Sequence, residues 1–170
     1  DGADYTLAAS GTLDGLTAGF RLSGKAQADL QDLGRLSALA GRPLSGAAKL
    51  AVTGNGSPLG GDFDVIAEMA GRNLTLAQPQ LDRLLSGRST ITANISRGTQ
   101  GTTLRALDLT AGALTASAKG RIATAFSDLA GSFALSDLAT LDPAWGGSLT
   151  GEIAFQGVPA TGRITATAKG

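Results

Sequence analysis

The sequence predicts an all-β fold, on three observations. Short runs alternate apolar and polar residues with a period of two, as half-buried strands do. These runs recur at intervals of about 8–12 residues, separated by Gly-rich turn signals, as in sheet proteins. β-Branched Thr, Val and Ile fill many of the alternating positions, where a pleated surface suits them.

Taken in order, "DYTLAAS" (4–10) groups Tyr5, Leu7 and Ala9 on one side. "GLTAGFRLSG" (15–24) groups Leu16, Ala18, Phe20 and Leu22. "GAAKLAVTG" (46–54) offers Ala48, Leu50 and Val52. "DFDVIAEMAG" (62–71) aligns Phe63, Val65, Ala67 and Met69 against Asp62, Asp64 and Glu68. "STITANISRG" (89–98) aligns Ile91, Ala93 and Ile95. "TLRALDLTAG" (103–112), "ALTASAKG" (113–120) and "GSFALSD" (131–137) follow, with Leu107 and Leu109, then Leu114, then Phe133 and Leu135. The last 24 residues hold two more strands around a Val158-Pro159 turn, with Leu149, Ile153 and Phe155 on one parity and Ile164 after the turn. Roughly ten strands are expected.

Three stretches break the alternation. Residues 29–46 space Leu33, Leu36 and Leu39–Ala40 by three and four; 79–87 open with Pro and group Leu81, Leu84 and Leu85; 137–151 place Leu138 and Leu141 before Pro143. Each reads as a short helix or 3₁₀ segment ended by Gly or Pro. They begin roughly 50 residues apart and resemble one another, which implies a loose repeat in an elongated array.

Composition narrows the chemistry. The chain has 170 residues, so one domain spanning 1–170 is expected. Hydrophobic residues are 42% but aromatics only 4%, so the apolar surface is smooth and shallow. Lysine plus arginine (14) balance aspartate plus glutamate (14), without a basic patch for nucleic acid. There is no Cys and no His, which excludes disulfides, thiolate chemistry and a Ser–His triad. No cofactor and no enzymatic activity are expected. The chain begins with Asp and ends on a complete strand, as a piece of something longer would.

A ten-stranded face has a footprint on the order of 1,200 Å². A soluble monomer tolerates an exposed apolar patch of only a few hundred Å². The sheet must therefore fold into a sandwich, close as a barrel, wind as a solenoid, or form an open trough around a foreign apolar guest.

The segments "DLGRLSALAGRPLSGAAKLAVTGNG", "LDRLLSGRSTITANISRGTQGTTLRALDLTAGALTASAKGRI" and "DLATLDPAWGGSLTGEIAFQGVPATGRITATAKG" carry a resemblance. In the order of their Leu, Gly and Ser positions they resemble the periplasmic repeat region of the translocation and assembly module (TamB) family. That family is part of the AsmA-like, bridge-like lipid-transfer superfamily. The resemblance implies an elongated, curled β-sheet forming an open, taco-like trough with an apolar interior. It implies passage of phospholipids between inner and outer membranes, and a link to outer-membrane protein assembly through the outer-membrane partner TamA. It also implies a periplasmic location, tethered by an N-terminal helix outside this sequence. A strand-templating platform for outer-membrane β-barrel clients and a structural β-solenoid of a secreted protein are the competing functions.

On the trough reading, parity assigns the groove lining to Leu16, Phe20, Leu22, Leu50, Val52, Phe63, Val65, Met69, Ile91, Ile95, Leu107, Leu109, Leu114, Phe133, Leu135, Leu149, Ile153, Phe155 and Ile164. Other motifs fade on inspection. "GFRLSGKA" (19–26) lacks the final Ser/Thr of a phosphate loop and alternates as a strand. Asp62, Asp64 and Glu68 read as a solvated face rather than a metal site. Asn55, Asn73 and Asn94 open formal glycosylation sequons that chance explains, and Trp145 reads as a loop anchor.

Overall fold

The computed structural model describes residues 5–15, 20–57 and 59–170. Ten strands form a single sheet: β1 (Tyr5–Asp14), β2 (Arg21–Leu30), β3 (Ser45–Ser57), β4 (Asp62–Thr75), β5 (Arg88–Gly98), β6 (Gly101–Ala111), β7 (Leu114–Ile122), β8 (Ser127–Leu135), β9 (Leu149–Gly157) and β10 (Arg163–Lys169). Every strand pairs antiparallel with its sequence neighbours, in the order β1 to β10. The outermost strands β1 and β10 do not meet. The all-β expectation holds, as an open, curled meander. Sandwich, closed barrel and solenoid do not: one antiparallel sheet has neither a facing layer, nor closure, nor parallel coils.

Several strand boundaries differ from expectation, those of the second strand most. The second strand begins at Arg21, not near residue 15, and runs to Leu30, although the spacing predicts helix from residue 29. Gly11, Gly24, Gly54, Gly56, Gly71 and Gly120 lie inside strands rather than at turns. Glycine's meaning in a strand is close backbone approach, not only chain reversal.

The three helical segments sit at one end of the sheet. Leu33–Leu36 (3₁₀) and α1 (Ser37–Ala40) join β2 to β3; α2 (Pro79–Leu84) joins β4 to β5; a 3₁₀ turn, Leu138–Thr140, joins β8 to β9. Asp32 and Asp137 cap the two 3₁₀ turns, accepting hydrogen bonds from Gly34 and Ala139 backbone N–H groups at 2.8 and 2.9 Å. Pro79 sits in the first turn of α2, where its missing donor costs nothing. Where a fourth helical piece would fall, β6 and β7 close instead with the two-residue turn Gly112–Ala113. The α2 and Leu138 segments meet above it: the Arg83 guanidinium donates to the Leu141 carbonyl, and Ser136 N–H donates to the Ala113 carbonyl at 3.0 Å.

The buried apolar side chains collect under these segments. Ala48, Leu74, Leu84, Ala111 and Leu135 are the buried hydrophobic residues among those described. Among the described residues the rest of the sheet has no second layer, which ordinary domains use to cover such a face.

Candidate functional site

Register defines the faces, because directly opposed residues point the same way. Leu7, Ala28, Leu50, Met69, Ile91, Leu109, Ala116, Phe133, Gly151 and Ala168 form one cross-strand row. Ala9, Ala26, Val52, Ala67, Ala93, Leu107, Ala118, Gly131, Ile153 and Ala166 form the next. Beyond it run Gly11, Gly24, Gly54, Val65, Ile95, Leu104, Gly120, Leu129, Phe155 and Ile164. A row at the helical end joins Tyr5 to Leu149 through Leu30, Ala48, Gly71, Ser89, Ala111, Leu114 and Leu135. A shorter row at the opposite end holds Leu13, Leu22, Gly56, Phe63, Arg97, Thr102 and Ile122.

Seventeen of the expected lining residues therefore share one continuous face. Phe20 precedes β2 and lies on no ladder, and Leu16 lies outside the described residues. The face is open: Leu7 is 69% exposed, Ile164 67% and Ile153 50%. Beyond the expected lining, Tyr5, Leu7, Leu13, Leu30, Leu104, Ile122 and Leu129 lie on this face. The spacing from residue 29 predicts helix over Leu30, and the bulge at Arg105, two residues opposing one, breaks the alternation around Leu104.

A glycine row shapes the far corner. A Cβ on Gly24 would stand 2.4 Å from the Ser10 carbonyl oxygen and 2.8 Å from the Gly11 Cα; one on Gly54 would stand 2.4 Å from the Asp64 carbonyl oxygen. The backbones approach too closely for any side chain. The result is a hollow of about 850 Å³ on the apolar face, floored by Gly11, Gly24, Gly54 and Gly56 and walled by Leu13, Leu22, Val52, Phe63 and Val65. Two other hollows, of about 620 and 770 Å³, dip into the polar face beside Asp108, Lys119 and Glu152 and beside Asp29, Lys49 and Glu68. A twisted sheet is concave on both sides at different corners.

The opposite face is polar and cross-tied. Arg21 pairs with Asp62 at 3.1 Å and Lys49 with Asp29 at 2.6 Å. Arg105 makes two 2.7 Å hydrogen bonds to Asp64 and one of 2.9 Å to Asn94. The hydrogen bond from Arg105 holds the Asp64 carboxyl below its ordinary value, with the nearby charge adding to it and partial desolvation opposing it. Two of the three acidic residues singled out in sequence, Asp62 and Asp64, are thus ion-paired on the outer face. Asn55 accepts from Arg21, Asn73 accepts from the Gly87 N–H, and Gly24–Lys25 lie mid-strand. No cluster of three metal-ligating side chains occurs among the described residues. Nor is any helix among them long and apolar enough to cross a membrane.

Comparison with protein-family models, with curated proteins and with solved structures finds no match to this chain.

Proposed function

We propose that this chain is a segment of a hydrophobic conduit that carries phospholipids, with acyl chains lying along the apolar face and head groups in water. The observation that carries this reading is the mismatch between patterning and burial. Five cross-strand rows, apolar or glycine except at Ser89, Arg97 and Thr102, cover one face, yet the buried hydrophobic residues gather at one end of it. Each methylene taken from water onto such a face contributes about 0.8 kcal/mol. Rows of near-equivalent Ala, Leu and Ile contacts let a chain slide by exchanging one contact for the next. No catalytic group is required. The family resemblance supports transit between inner and outer membranes in the periplasm, with TamA as the outer-membrane partner of the longer protein.

Cross-linking with a photoactivatable phospholipid tests this reading. Label is expected on the Ile95 and Ile153 rows and not on the polar face. Label spread equally over both faces would reject it.

A second reading rests on a different feature. Both edges, β1 and β10, are exposed along their whole length. Such an edge can template an incoming strand of an outer-membrane β-barrel client by backbone pairing. Cross-links from client strands confined to β1 or β10 would favour this templating role.

A further inference from the structure

Arg97 stands apart from every other charged residue in the sheet. Strand charges such as Lys25, Lys49, Glu68, Asp108, Lys119 and Glu152 alternate onto the polar face. Arg97 opposes Phe63 on one side and Thr102 on the other, and so points with the apolar rows. It lines the glycine-floored hollow. It makes no hydrogen bond or ion pair with any described residue, although its neighbour strand carries Asp62 and Asp64, which pair with Arg21 and Arg105. Thr102, directly opposite, adds a hydroxyl donor on the same face.

We propose that Arg97 holds the anionic head of an amphiphile whose hydrocarbon lies in the hollow. The inference rests on the conduit reading and adds a polarity to it. The hollow, about 850 Å³, falls within the range of about 300–1,000 Å³ usual for small-molecule sites. Its floor is bare backbone and its walls are mostly Leu, Val and Phe, which offer an alkyl chain contact, while Lys25, Asn55 and Asp62 stand among the polar residues at its edge. Guanidinium beside that floor offers a forked donor pair of the geometry that phosphate accepts. Its place at the turn end of β5, away from the helical segments, keeps the head group at the water boundary. A cation on the apolar parity, with Lys25 turned to the polar one, selects a ligand that is charged at one end only.

Titration of the 170-residue chain with dodecyl phosphate, dodecanol and inorganic phosphate tests this. Dodecyl phosphate is expected to bind the parent chain about tenfold more tightly than Arg97→Gln, with Arg97→Lys recovering most of the loss. Dodecanol is expected to bind all three alike, and inorganic phosphate none. Equal dodecyl phosphate affinity for the parent and Arg97→Gln overturns the role of Arg97, while retained dodecanol binding leaves the conduit standing. Failure of both amphiphiles overturns the two readings together. Inorganic phosphate binding as tightly as dodecyl phosphate, and lost in Arg97→Gln, assigns the site to a free anion and overturns the amphiphile. Circular dichroism confirms the fold of each variant, which an exposed side chain at a strand end does not determine.

Discussion

Arg105 reaches across β5 to grip Asp64 on β4 with both guanidinium nitrogens, 2.7 Å from each carboxylate oxygen. Arg105 is the bulged residue of β6, so the clamp and the local bend in the sheet have one origin. Directly opposed residues of this region, Val65, Ile95 and Leu104, form one row on the other face. A polar tie on the outside thus braces the strands whose inside is left open.

That tie makes stability depend on pH in a defined direction. Asp64 has a folded pKa below its unfolded one, so its contribution is present above the ordinary aspartate value of about 3.9. It is lost as pH falls through the lower folded value. Arg105→Met is expected to lower the urea midpoint slightly at neutral pH, by less at high salt, and not at all once Asp64 is protonated in the folded parent. Midpoints measured across that acid range check this; a difference that grows on acidification would contradict it.

The glycine row is expected to resist even the smallest side chain. Gly24→Ala puts a methyl 2.4 Å from the Ser10 carbonyl oxygen, and the two strands must separate to admit it. A loss of about 1–3 kcal/mol is expected, as for other overpacked sites. Gly98→Ala meets nothing within 4 Å and should be neutral or slightly stabilising. Equal thermal midpoints for the two variants would show that the close approach is not real.

Leucines should differ according to cover. Leu84, 7% exposed under the helical end, is expected to cost about 2–4 kcal/mol when changed to Ala. Leu7, 69% exposed, should cost less than about 0.5 kcal/mol for the same change. Denaturant titration separates these values easily. A large loss at Leu7 would mean that some part of the chain covers it.

Ser89 has a different prediction. Its hydroxyl is buried, 1% exposed, and has no hydrogen-bond partner among the described residues. Ser89→Ala removes an unsatisfied polar group in the row between Gly71 and Ala111, and should stabilise the chain by about 1 kcal/mol. A clear destabilisation would reveal a partner for that hydroxyl.

Much of this arrangement is written in the alternation of residues. Ile91, Ala93 and Ile95 announce one face of β5 without help from the rest of the chain, because a period of two is a local property. The same parity, extended one step, reaches Arg97, and a lone cation on an oily parity was the available signal. Other features were not local. Gly24 and Gly54 look like turn residues until the register sets them beside Gly11 and Val65, since only pairing reveals how closely two backbones pass. Leu30 follows a run of strand residues but precedes a helical spacing, and the spacing dominated the reading. Openness itself is invisible in sequence. An apolar parity looks the same against a second layer as against water, and only the exposure of Ile153 and Leu7 distinguishes the two.

The most direct measurement is native mass spectrometry of the purified chain beside its Ile153→Asp and Ile95→Asp variants. A hydrophobic conduit predicts co-purifying phospholipid on the parent and its loss from both variants, with unchanged β-sheet circular dichroism. A parent chain that carries no lipid, or folded variants that retain it, would contradict the conduit.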